Sequence, residues 1–163
     1  MKKVVFVGQA MPKIKETDHH WPSLNSWHFS IGITEDQIKS YFLYTALVDY
    51  FPGYQEKGGH KVPSRKEIAK EREKLRNTIT DFNPEIVVTI GKLSLSYCLN
   101  KKIENLDKNY IGKSFLVNPY GFLDKELLVI PLPHPSGAST WRYKEGNQLL
   151  LKKALTILKK ELQ

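Results

Sequence analysis

The chain carries a single cysteine, Cys98, among 163 residues. An intrachain disulfide is excluded, and so is a cysteine cluster able to hold zinc or iron–sulfur. Long apolar runs are missing as well. The opening "MKKVVFVGQAMP" has two lysines and then an apolar run that stops after four residues, too short for the core of a secretory signal. No stretch approaches the roughly 18 apolar residues that a spanning helix needs. A reducing, cytoplasmic setting without membrane contact is therefore the expectation. Internal repeats and low-complexity segments are absent. So are a Gly-x-Ser-x-Gly elbow, a phosphate-binding P-loop and a dinucleotide fingerprint, which argues against an α/β hydrolase or nucleotide-binding enzyme.

What is present is ordinary globular composition: 40% apolar and 26% charged residues. The length suits one domain, residues 1–163, with a sizeable core. Lys and Arg number 25 against 17 Asp and Glu, a formal charge of +8. That balance favours an acidic partner, of which nucleic acid is the commonest. Lysines spread along solvated helix faces would give the same count.

Apolar runs and capping signals alternate along the chain. "VVFVG" reads as a buried strand ending in a glycine turn. "ITEDQIKSYF" reads as a helix with Thr34 and Gln37 at capping-box spacing. "LYTALVDYF" is a second strand, stopped by Pro52-Gly53, and "GYQEKGGHKVP" is a polar loop. Ser64 and Glu67 form another capping box and open a helix to about Asp81, with Ile68, Leu75, Ile79 and Phe82 on its apolar face. "EIVVTIG" is a third buried strand, followed by the short helix "KLSLSYCLN". A short strand near Phe115 is possible before the strand "ELLVIPLP". The last helix places Leu151, Ala154, Leu155, Leu158 and Leu162 on one stripe. Continuously apolar strands alternating with helices predict an α/β fold, a three-layer α/β/α sandwich around a mostly parallel four-stranded sheet. Ligands of such sheets bind beyond the carboxyl ends of the strands. "GQAMP", "DYFPG" and "PHPSGAST" lie at those ends and are expected to converge.

Three of these segments also carry a resemblance. "VVFVGQAMP", "PEIVVTIG" and "PLPHPSGAST", in that order and spacing, resemble the uracil-DNA glycosylase superfamily, and "YTALVDYFPG" is similar to its second strand. The resemblance covers most of the chain, and its most specific part is the His-Pro-Ser-Gly-x-Ser loop. It implies a monofunctional DNA N-glycosylase of base excision repair, without an iron–sulfur cluster, metal or other cofactor. Such an enzyme flips a damaged nucleotide out of the stack and hydrolyses its N-glycosidic bond. The expected partner is DNA containing a damaged base, acted on by a monomer. The base is uracil first, hypoxanthine or xanthine next.

Chemistry supports the part given to His134. A departing uracil develops negative charge on O2, and a neutral imidazole N–H aimed there stabilises the transition state more than the ground state. Pro133 and Pro135 restrict the backbone on either side. Ser136, Gly137 and Ser139 offer N–H and hydroxyl groups to DNA phosphates. Gly8, Gln9 and Ala10 are expected to hold the water and the base.

The sequence departs from the family's pattern in its first motif. One branch has a carboxylate at the Ala10 position and the iron–sulfur branch has a glutamate at the Gln9 position. Here neither is acidic, and Gln9 can position a water by hydrogen bonding but cannot take its proton as a carboxylate does. Asp18 and Asp49 are the candidate acids, with Asp49 near the end of the second strand. The asparagine that reads uracil in many members aligns with Ala46. Ala138 replaces a wedge leucine, leaving Trp141 or Arg142 to enter the base step. Trp21, with Trp27 and Phe29 as alternatives, is the expected stacking aromatic, and Lys92 a candidate phosphate contact. Asp18-His19-His20 lacks the further ligands a metal site needs. The competing reading is a superfamily member that binds DNA or nucleic-acid fragments without turnover.

Overall fold

The computed structural model describes residues 1–136 and 140–163. Five strands form one sheet in the order β2-β1-β3-β5-β4. They are β1 (Val4–Ala10), β2 (Phe42–Val48), β3 (Ile86–Ile90), β4 (Phe115–Val117) and β5 (Leu127–Leu132). The first three and β5 run parallel, while β4 pairs antiparallel at one edge. The α/β expectation holds, with one strand more than four. Edge strand β4 is short, and Leu116 in its middle is exposed, as suits a strand that ends a sheet.

Side chains alternate between the two faces of the sheet. Val4 and Phe6 of β1 join one apolar layer, and Val5 and Val7 the other. The first layer is closed by helices α1 (Pro22–Ser30), α2 (Glu35–Tyr41) and α5 (Asn147–Glu161), through Leu24, Ile38 and the stripe Leu151, Ala154, Leu155, Leu158. The second is closed by α3 (Arg65–Phe82) and α4 (Lys92–Leu99), through Ile68, Leu75, Ile79 and Cys98. The parallel strands are thus buried on both sides, which explains their unbroken apolar runs. Among the described residues no helix is long and apolar enough to cross a membrane.

Local signals start and stop these elements. Thr34–Gln37 and Ser64–Glu67 form complete capping boxes at the starts of α2 and α3. Asn83 and Asn100 end α3 and α4 in the left-handed conformation, which asparagine tolerates better than most residues. Strand β2 ends at Val48, three residues before the sequence pattern suggests, so Asp49 lies just beyond it. Helix α1 falls in a region without a clear helical stripe. It opens on Pro22 at its first position, and its buried residues are Leu24 and His28. One member of that i, i+4 pair is polar, which hides the period.

His28 is fully buried among Phe6, Phe42 and Tyr44. Its Nδ1 lies 2.9 Å from the Tyr44 hydroxyl, which itself donates to Asn25 Oδ1. With that hydroxyl proton committed, His28 Nδ1–H is the donor, and Nε2 carries a buried lone pair without a partner. Burial pushes the His28 pKa down to about 3. The unfolded chain therefore binds a proton near pH 6.5 that the folded chain refuses until about pH 3. Stability is retained above pH 6.5 and falls as pH drops through that window. Denaturant melts of wild type and His28→Phe between pH 6 and 4 should show it. The variant's stability should fall with acid less steeply, by about 1.4 kcal/mol per pH unit.

Candidate active site

The parallel strands release their loops at one edge, where a cleft of about 410 Å³ opens. Gln9 and Ala10 line it from the end of β1, Tyr44 and Thr45 from β2, Trp21 from the start of α1, and His134 and Ser136 from the segment after β5. The volume is within the range of small-molecule pockets.

Trp21 is placed by the absence of a side chain. Gly8 is buried in β1, and a Cβ built there would stand 3.2 Å from Trp21 Cη2. Glycine lets the indole lie against the strand. The ring also meets Tyr44 edge-on at 6.0 Å and tilts over His134 at 5.9 Å between centroids. A flat apolar wall therefore stands beside the imidazole. Trp27 is half-buried in the core layer of α1, and Phe29 is exposed on that helix; neither lines the cleft.

A backbone hydrogen bond sets the tautomer of His134. The Ser136 N–H donates to His134 Nδ1 at 3.1 Å. Nδ1 is therefore the acceptor, and in the neutral ring the proton sits on Nε2. His134 is open to the cleft, yet its surroundings withhold enough water that desolvation lowers its pKa. The charge of nearby His60 lowers it further. Both effects favour the neutral N–H donor.

His60 is the residue the sequence reading passed over. It ends a tight hairpin in which Tyr54 and His60 bridge, Gln55 N–H bonds Gly59 O at 2.8 Å and Lys61 N–H bonds Gly53 O at 2.8 Å. Gly53, Gly58 and Gly59 supply the positive φ angles that close it. The His60 ring meets Phe51 and Tyr54 at 5.2 and 5.6 Å, and it lines the cleft beside His134. The three glycines were a visible turn signal, but nothing in the sequence shows that the turn folds back over the strand ends.

The remaining candidates divide. Both Thr45 and its neighbour Ala46 are buried, and of the two Thr45 lines the cleft. Asp49 points away and pairs with Lys74 of α3 at 2.7 Å. Asp18 is the carboxylate that lines the cleft among the described residues, with Lys15 at 4.0 Å. Trp141 Nε1 donates to Leu106 O, and its ring packs on the core. Arg142 lies over Tyr143, away from the cleft lining. Lys92 Nζ donates to Glu104 O at 3.2 Å and lines a second cavity beside the cleft. Gly137, Ala138 and Ser139 lie outside the described residues.

An α/β/α sandwich with an imidazole of backbone-set tautomer lining a cleft at the carboxyl ends of its strands belongs to a recognisable class. The family model of the uracil DNA glycosylase superfamily matches residues 1–159. The chain belongs to that superfamily, whose members are generally DNA glycosylases, hydrolases of N-glycosidic bonds. No curated protein sequence matches the chain significantly.

Replacing His60 by glutamine removes a like charge from beside His134. Histidine resonances followed by NMR across pH should show His134 titrating below 6.5 in the wild type and closer to it in His60→Gln. At neutral pH, Nε2 should carry the His134 proton in both.

Proposed function

We propose that this protein hydrolyses the N-glycosidic bond of a deaminated base in DNA, uracil first, with hypoxanthine or xanthine next. The observation that carries the reading is the Ser136 N–H on His134 Nδ1, which leaves the proton on Nε2 of a ring that lines the cleft. In this reading the extruded base enters beside Trp21. The bond from C1′ to the base nitrogen breaks with its electron pair passing to the base. Nε2–H of His134 meets the charge that develops on the base oxygen, a contact that strengthens as the bond lengthens. Water adds to C1′ of the oxocarbenium-like sugar, held by the Gln9 amide. Its proton goes to Asp18, and the released base is protonated by solvent. Ser136 contacts phosphate in this reading, as do Gly137 and Ser139. Thr45 takes the base-edge position expected of Ala46.

A second reading has its own support. Asp49 is engaged by Lys74, and Asp18, with a side chain 93% exposed, is a weakly placed base. A site so equipped binds a flipped base without fast turnover.

Base release from labelled oligonucleotides carrying uracil, hypoxanthine or xanthine separates the two. Release is expected, and His134→Ala should lower its rate about 100-fold or more, the usual loss for one donor aimed at a developing charge. Binding that is sensitive to salt, with no release from any substrate, selects the second reading.

A further inference from the structure

A larger groove leads out of the cleft and shares Gln9, His60, His134 and Ser136 with it. Its volume is about 1220 Å³, above the usual range for a small-molecule pocket. One wall is the segment after the hairpin, with Val62, Pro63 and Arg65. The other is α4 and the turn that follows it, with Lys92, Tyr97, Lys101 and Lys102. Arg65, Lys92, Lys101 and Lys102 meet no carboxylate within ion-pair distance among the described residues. No acidic residue is among the described lining residues of the groove. Among the cations stand Leu93 and Tyr97 together with the polar Ser96 and Asn100, and Val62 is 56% exposed.

We propose that this groove holds an unpaired DNA strand running on from the nucleotide in the cleft, so that the protein prefers single-stranded DNA or a frayed site to intact duplex. Cations alone would suit the phosphates of a duplex, whose bases are turned inward. Cations set among the exposed Val62 and the half-buried Leu93 and Tyr97 suit a strand that presents both phosphates and bare base faces. Val62, exposed and outside both core clusters, then has a partner. The proposal rests on the nucleic-acid reading of the cleft, and its test uses undamaged DNA, so that the outcome does not depend on catalysis.

Fluorescence anisotropy with a labelled oligodeoxyadenylate of about 12 nucleotides, within the site sizes of single-strand binders, measures the groove directly. The same strand annealed to its complement is the comparison. The single strand should bind at least several-fold tighter. Lys101→Ala with Lys102→Ala should weaken that binding and reduce the slope of log affinity against log salt by roughly 1.4, about 0.7 per cation. Val62→Glu, an exposed position, should weaken it without lowering thermal stability. Equal or tighter binding of the duplex overturns the proposal, as does single-strand binding that neither variant changes. Loss of base release with these results intact would sink the glycosylase reading and leave the groove standing.

Discussion

Four parallel strands buried on both faces must all end at one edge, and that constraint places every other feature of the site. Gln9 and Ala10 close β1, the His60 hairpin follows β2, Gly91 follows β3, and His134 follows β5. The register is held from both sides. Phe6 and Val7 face different core layers, so sliding β1 by one residue would exchange them and expose neither layer to its proper partner. The cleft therefore inherits its geometry from the core, to which its own Tyr44 belongs and against which Trp21 packs.

Three histidines show how surroundings settle a single side chain. His28 is neutral because apolar rings enclose it, and its one engaged nitrogen fixes Tyr44 below the cleft. His134 is biased toward neutrality by partial desolvation and by a neighbouring histidine, while a backbone N–H selects its tautomer. His60 stands on an aromatic hairpin at the mouth. The same residue type thus stands as a core member, as a ring whose tautomer the backbone sets, and as part of the cleft mouth. Burial and hydrogen bonding make the difference.

Much of this was legible in the sequence where the signal is local. Both capping boxes, the C-terminal stripe and the buried strands follow from spacing within one element. Helix α1 was hidden because its inner positions are Leu24 and His28, an apolar and a polar residue. Which residues of β2 reach the cleft was hidden for a different reason. Tyr44 and Thr45 line the cleft and Ala46 does not, a boundary set by how far the loops overhang the strand end rather than by the strand's own pattern. Asp49 sits one residue past the strand, and its orientation depends on Lys74 of a helix that begins 16 positions later. His60 reaches the site only through a hairpin whose three glycines say where the chain turns, not toward what.

The charges around the cleft bear on the proposed reaction unequally. A glycosidic bond that breaks before water arrives leaves an anionic base and a cationic sugar. The walls here offer the anion the His134 N–H, with His60 and Lys61 also lining the cleft. To the cation they offer the amide of Gln9 and the carboxylate of Asp18, whose exposure leaves it screened by solvent. Under that reaction the surroundings favour the departing base more than the sugar it leaves. The barrier then depends on holding the nucleotide extended in the cleft, where a strand gripped along the adjoining groove contributes positioning that the missing carboxylate does not.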